Sequence, residues 1–205
     1  MKKGVFIALE GLDGSGKSSQ FSALKARLED NNILCKEEKE PSERNLIGLL
    51  LRGIVKGVQG LSVSPTSLAK LFSVDRYEHV INDIKPHIDA GGHVLMDRFI
   101  FSSFAYQGLS CSYDEIYIYN KDVINLLMPD LTIFIDTPPD VCLERINTKR
   151  VGKELFDNNG TQLRKNFMYA FEKMKDCNIL IIDGSQPFEI VTKAIWEGVR
   201  PLFGL

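Results

Sequence analysis

Val5-Phe6-Ile7-Ala8-Leu9-Glu10-Gly11-Leu12-Asp13-Gly14-Ser15-Gly16-Lys17-Ser18-Ser19 is the stretch from which the fold can be read. An apolar, strand-like run over Val5–Leu9 enters a turn, and a helix is predicted from Lys17 to about Asp30, with Phe21, Leu24 and Leu28 on one stripe. Between them Gly11 to Ser18 satisfies G-x-x-x-x-G-K-[ST]. Glycine is needed because the backbone must wrap tightly enough to turn its N–H groups inward, where the positive end of the helix dipole reinforces them. Such a loop cradles the phosphates of a nucleoside triphosphate, with Lys17 reaching the β- and γ-phosphates and Ser18 offering a hydroxyl to Mg²⁺.

Outward from this stretch, strand-like and helix-like runs alternate without a repeat, a low-complexity tract or a linker, which predicts an α/β fold with a parallel sheet and one domain over residues 1–205. Further strands are expected at Ile33–Glu37, His93–Met96, Leu131–Ile135 and Ile179–Ile182. Helices are expected from near Arg44, from Pro65 to about His87 with Ser64 as N-cap, and over Asp114–Leu127, Pro139–Thr148, Thr161–Lys175 and Phe188–Gly198. The strands end in Glu10-Gly11, Glu40-Pro41, Asp97-Arg98, Asp136-Thr137 and Asp183-Gly184. Polar residues gathered at the carboxyl edge of a parallel sheet suggest one shared site, although polar residues also simply terminate strands.

At 205 residues the chain can form one substantial core, burying roughly 70% of its unfolded surface, so neither disulfides nor a structural metal is required. The 25 Lys and Arg against 27 Asp and Glu argue against a nucleic-acid polymer or an anionic membrane as partner. Cys35, Cys111, Cys142 and Cys177 lack metal or redox spacing and read as reduced thiols. The opening apolar run is broken by Glu10 and Asp13, and no run approaches a membrane span, so the expectation is a soluble cytoplasmic protein.

The cradle alone does not separate switches, motors and kinases. A guanine-specific N-K-x-D is absent, and Asp89-Ala90-Gly91-Gly92 precedes a strand, as a helix-ending turn does, so a small-molecule kinase leads. Asp97 can orient metal-bound water or an acceptor, and Arg98 offers a planar fork to phosphate, the bland alternative being an Asp97–Arg98 ion pair. On the helix from Pro65, the spacing of Val74, Tyr77, Ile81, Ile84 and Ile88 predicts the core stripe. Phe72 and Arg76 lie about 140° away on a separate face, where they could stack on and hydrogen-bond a base or simply pack together.

The segments Glu10–Ser19, Leu71-Phe72-Ser73-Val74-Asp75-Arg76-Tyr77-Glu78-His79 and Asp97-Arg98-Phe99-Ile100-Phe101-Ser102-Ser103-Phe104-Ala105-Tyr106-Gln107-Gly108, with Lys39-Glu40-Pro41 and Pro129–Asp136, resemble the thymidylate kinase family over nearly the whole chain. The resemblance implies a three-layer P-loop NTPase fold with a five-stranded parallel sheet. It implies ATP bound by Gly11, Leu12, Asp13, Gly14, Ser15, Gly16, Lys17, Ser18 and Ser19, with Arg145 and Gln186 near the adenine. It places dTMP against Asp13, Pro41, Arg52, Phe72, Arg76, Arg98, Ser103, Tyr106 and Gln107: Phe72 stacks on thymine, Arg76 binds its O4, Arg98 and Arg52 hold its phosphate, and Tyr106 backs the deoxyribose. Ser18 and Asp97 serve Mg²⁺. Because Gly14 occupies the loop position that carries a basic residue in one branch of the family, the catalytic cations fall to a lid at about 145–160, with Arg145, Lys149, Arg150 and Lys153. Lysine stands at Lys39 where the family has arginine, and Phe156 where many relatives have tyrosine.

The expected reaction is transfer of the γ-phosphoryl of ATP to dTMP with Mg²⁺, in the supply of dTTP. Lys17, Asp13, Arg98, Arg150 and Lys153 carry it, in a homodimer formed through helices. The competing readings are a deoxynucleoside kinase and a non-catalytic P-loop nucleotide-binding protein.

Overall fold

The computed structural model describes residues 3–149 and 155–205. Five strands, β1 (Phe6–Gly11), β2 (Cys35–Lys39), β3 (His93–Asp97), β4 (Leu131–Asp136) and β5 (Ile179–Asp183), form a parallel sheet in the order β2-β3-β1-β4-β5. Phe6 and Ala8 face one apolar layer and Ile7 and Leu9 the other, and all four are fully buried. This is why β1 reads as a continuous apolar run instead of an alternating one.

Nine α-helices complete the described residues: α1 (Lys17–Asp30), α2 (Leu46–Val55), α3 (Pro65–His79), α4 (Lys85–Asp89), α5 (Ile100–Tyr106), α6 (Tyr113–Leu126), α7 (Pro139–Lys149), α8 (Gly160–Lys173) and α9 (Phe188–Val199). The layer containing Leu24 and Leu28 of α1 and Val191 and Ile195 of α9 covers one face of the sheet. The opposite layer contains Val80, Ile84, Phe101, Phe104, Ile116, Phe167 and Phe171. The chain passes from β1 to β2 on one side and from β3 to β4 on the other, so β1 sits where the winding reverses and a crevice opens at its carboxyl end. In register there, Leu9 lies opposite Asp97, Gly11 opposite Ile135, and Asp136 opposite Asp183.

The predicted strands and helices are found within two residues at nearly every boundary, with one consequential exception. Val74 and Tyr77, expected in the core, are 44% and 39% exposed, while Ser73, Arg76 and Val80 are buried. Between α3 and α4 the chain makes a π-turn over Val80–Ile84, which inserts one residue into the helical repeat. Counting back from Ile88 and Ile84 with uniform α-periodicity therefore lands one residue late at each step: 81 for 80, 77 for 76, 74 for 73. Arg76 thus belongs to the buried stripe that sequence periodicity assigned to its neighbour. Among the described residues, no helix is long and apolar enough to cross a membrane, and all four cysteines are free.

Candidate active site

The loop from Gly11 into α1 takes the backbone shape that its glycines predict. Gly14 and Gly16 have φ of 79° and 95°, in the left-handed region, and a Cβ on Gly14 would stand 2.3 Å from the Cys142 carbonyl oxygen. Gly16 caps α1 without a side-chain hydrogen bond and no acidic residue lies in the first turn, so the helix N-terminus is left for an anionic group. The loop is braced from behind: Thr137 Oγ1 donates to the Ser15 carbonyl (2.9 Å), and Arg145 Nη1 reaches the Gly14 and Ser15 carbonyls (3.4 and 3.3 Å). A cavity of about 430 Å³ lies over it, lined by Leu12 to Gln20, Arg145, Ile146, Gln186, Phe188 and Val191. Every residue expected at ATP lies in this loop or around this cavity. Gln186 donates to Asp183 (2.8 Å).

A second cavity, of about 140 Å³, is lined by Glu40, Pro41, Arg52, Val55, Phe72, Arg76, Arg98, Ser102, Ser103, Tyr106, Gln107 and Phe156, and Asp13 borders both. The residues expected at dTMP all meet here. Arg98 has φ of 67°, a conformation costing a non-glycine residue about 1–3 kcal/mol. It is held by its N–H to the Leu9 carbonyl (2.9 Å), by Nη1 to the Gly11 carbonyl (2.9 Å) and by Nη2 to Asp13 (2.6 Å). Tyr106 packs beneath the guanidinium, 5.0 Å from ring centroid to Cζ, and its hydroxyl donates to Asp13 (3.4 Å). Burial opposes the charge on Arg98, but Tyr106, Asp13 and Asp97 outweigh it and hold the group firmly cationic. Burial raises the Tyr106 phenol well above its ordinary value, so it stays a donor.

Lys17 is 7% exposed and paired with Asp97. Burial lowers its pKa and neighbouring Arg98 lowers it further, against the pull of Asp97. Anionic phosphates would oppose both effects. The fit to Mg²⁺ rests on donor chemistry. Asp97 supplies a hard carboxylate and Ser18 an exposed hydroxyl at the start of α1, and the described residues contain no group of three or more His, Cys, Asp or Glu able to hold a metal. Mg²⁺ bound through one or two protein oxygens, substrate phosphates and water needs no such group.

Sequence reasoning missed the supports. Glu10, fully buried at the end of β1, accepts from the backbone N–H groups of Phe99 (2.9 Å) and Ser102 (3.1 Å) and from Ser102 Oγ (2.6 Å). It thereby caps α5, the helix that carries Ser103 and Tyr106. Asp75, also buried, accepts from Ser42 N (2.7 Å), Ser42 Oγ (2.8 Å) and Asn45 Nδ2 (3.0 Å), tying the segment after β2 to α3. Arg76 is anchored by Glu40 and by Asn120 of α6. Burial pushes the Glu40 carboxyl up to about 7 against the opposing charge of Arg76. Asn120 had a legible signal: it shares a helical stripe with Ile116 and Val123, where a polar residue demands a partner.

Arg150 and Lys153, expected in the lid, lie outside the described residues. On either side, Arg145 stands near the end of α7 and Phe156 packs on Tyr106 (centroids 5.2 Å apart, 79° between planes).

The profile of the family described as Thymidylate kinase matches residues 9–195. The chain belongs to the thymidylate kinase family. It is 32% identical to a thymidylate kinase of Clostridium novyi over 95% of this chain and 98% of that one. To those of Leuconostoc mesenteroides and Clavibacter michiganensis it is 31% and 32% identical over 93% and 94% of this chain, and over 92% of each of theirs. Both thymidylate kinase cavities are thus built from segments inside the matched range.

Proposed function

We propose that this thymidylate kinase family member transfers the γ-phosphoryl group of ATP to dTMP, giving ADP and dTDP on the way to dTTP, as one domain. The observation that carries this reading is the meeting of two cavities at Asp13, one over an anion-binding loop and the other walled by Phe72 and Pro41 and carrying Arg98 and Arg52. The guanidinium groups of Arg98 and Arg52 in the acceptor cavity suit an acceptor that is already a phosphate monoester.

ATP lies in the larger cavity with its phosphates on residues 11–19 and its adenine toward Arg145 and Gln186. Arg98 and Arg52 grip the dTMP phosphate, and an oxygen of that phosphate attacks the γ-phosphorus as the bond to the β-phosphate oxygen breaks. The nucleophile is already anionic, so no proton need be removed. Lys17 leaves Asp97 for the β- and γ-phosphates, and Asp97 with the Ser18 hydroxyl would hold Mg²⁺. The metal, when bound, neutralises charge on the phosphate oxygens. Arg150 and Lys153 add positive charge around the transferring group, where charge is spread over three equatorial oxygens.

A deoxynucleoside kinase would need a carboxylate base at a neutral hydroxyl. Glu10 is committed to α5, and Asp13 to Arg98 and Tyr106, which favours the monophosphate. The enzyme acts in the cytoplasm, where four free cysteines stay reduced. It acts as a homodimer through α2, α3 and α6, whose exposed Leu46, Leu49, Val74, Tyr77 and Ile118 offer the apolar surface.

The test is ADP release by the purified protein with dTMP, dUMP, dCMP, AMP or thymidine as acceptor. Release with dTMP is expected; release with thymidine alone would reassign the chain to nucleoside phosphorylation, and release independent of any acceptor would leave only nucleotide binding and hydrolysis.

A further inference from the structure

We infer that Arg164, which lines neither cavity, is a positioning residue for phosphoryl transfer: its fork on Asp136 cancels a carboxylate charge at the phosphate edge of the sheet and fixes the helix that follows the lid. This rests on the larger cavity being an ATP site.

Glu10, Asp97, Asp136 and Asp183 stand at the carboxyl ends of β1, β3, β4 and β5, where a polyanion is to bind. Each has its own partner. Glu10 accepts from the start of α5, Asp183 from Ser185 and Gln186, and Asp97 pairs with Lys17. Asp136 lies directly across from Asp183 in the register of β4 and β5, a placement that sets like charges side by side. Its neighbours in sequence adjoin the phosphate loop: Ile135 is opposite Gly11 and lines the larger cavity, and Thr137 Oγ1 donates to the Ser15 carbonyl. An uncompensated carboxylate between them would repel the β- and γ-phosphates. Arg164 supplies the countercharge through two parallel hydrogen bonds, Nε to Oδ1 (2.6 Å) and Nη2 to Oδ2 (2.7 Å).

The pair adds little to folding, because the Arg164 side chain is 43% exposed and water screens such ion pairs. What it supplies is direction. Helix α8 packs on β4 with Phe167 against Phe134 (centroids 4.9 Å apart), and Arg164, about one turn earlier, meets Asp136 at the end of the strand. Gly160, the first residue of α8, lies so close to Pro139, the first of α7, that a Cβ on it would stand 3.0 Å from the Pro139 Cβ. The helices on either side of the segment expected to form the lid thus meet at its base, and Arg164 is the polar part of that joint. Asn166 of the same helix donates to the Ala105 carbonyl (3.0 Å), so α8 also reaches α5.

The test is steady-state kinetics, with thermal midpoints, on Arg164→Gln, Arg164→Lys and the double variant Arg164→Gln with Asp136→Asn. Arg164→Gln uncovers the carboxylate, so KM for ATP should rise about fivefold while KM for dTMP stays near wild type. Removing the carboxylate as well should bring KM for ATP back. Arg164→Lys, which keeps the charge but not the planar fork, should hold KM for ATP near wild type. In every variant kcat should fall several-fold, because none keeps the fork that fixes α8. Lower midpoints with no recovery of KM in the double variant would mark a merely structural pair and overturn the inference. So would wild-type KM and kcat in Arg164→Gln. Should Arg164→Gln not fold, Arg164→Lys carries the test, and a wild-type kcat there would overturn the inference equally. A wild type that transfers phosphoryl to no acceptor defeats the ATP-site reading itself, whereas normal wild-type transfer with an indifferent Arg164→Gln defeats only the role given to Arg164.

Discussion

Three side chains at the carboxyl edge of β1 and β3 do most of the charge management in the site. Lys17 is buried and paired with Asp97, and Arg98 accepts a strained backbone to stand over Asp13. Lys17→Ala should lower kcat by roughly 10³-fold or more, since it removes a preorganised cation at the developing charge. The unfolding midpoint and circular dichroism should stay close to wild type, because Asp97 is partly solvated and can rehydrate. A kcat within about tenfold of wild type would dissociate Lys17 from catalysis. Glu38 on β2 offers a pH test. Burial alone would push its carboxyl up, but hydrogen bonds and charge from His79 and Lys36 prevail and hold it at about 2, below the ordinary 4.5. A group depressed on folding stabilises the fold above its unfolded pKa, and that contribution is lost as pH falls from about 4.5 toward 2. Urea unfolding from pH 6 to pH 2 should show a loss of up to about 3 kcal/mol that Glu38→Gln removes; an unchanged slope in the variant would exclude Glu38 as its source.

At the scale of elements, one helix terminus governs the acceptor cavity. The N-terminus of α5 has no capping side chain of its own, and Glu10 reaches across from β1 to supply one. Removing that carboxylate strands two backbone N–H groups in a buried setting, so Glu10→Ala should cost about 2–4 kcal/mol. Because α5 carries Ser103 and Tyr106, the KM for dTMP should rise more than that for ATP. Equal rises would make Glu10 a general stabiliser with no bias toward the acceptor. The π-turn after α3 acts on the same cavity by rotating the preceding helix about one residue, which turns Arg76 inward and Tyr77 outward. Its presence was not legible from the sequence, since Val80, Ile81 and Ile84 suit an α-helix equally well and the extra residue is settled by packing on both sides of the turn.

For the whole molecule, the same rotation leaves Val74 and Tyr77 on an apolar surface beside α2 and α6, against which α3 packs. Sedimentation of the wild type should show a dimer, and the double variant Val74→Glu with Tyr77→Glu should shift it to monomer; a wild type that is monomeric at micromolar concentration would remove the proposal. The architecture was largely legible because parallel strands covered on both faces must be continuously apolar, and because few sequences other than Gly11–Ser18 can wrap a backbone around phosphate at a helix start. The residues that line the second cavity were legible from motifs, but their hydrogen-bond partners were not. Glu10 with Phe99, Asp75 with Ser42, and Arg76 with Glu40 and Asn120 join positions 33 to 89 residues apart. The sequence by itself determined the sheet, the phosphate loop and which side chains collect at its edge, since these follow from local periodicity and backbone freedom. Only the tertiary structure decided which donors remain for a ligand, because a buried hydrogen-bonding group is available or spent according to neighbours brought to it from distant parts of the chain.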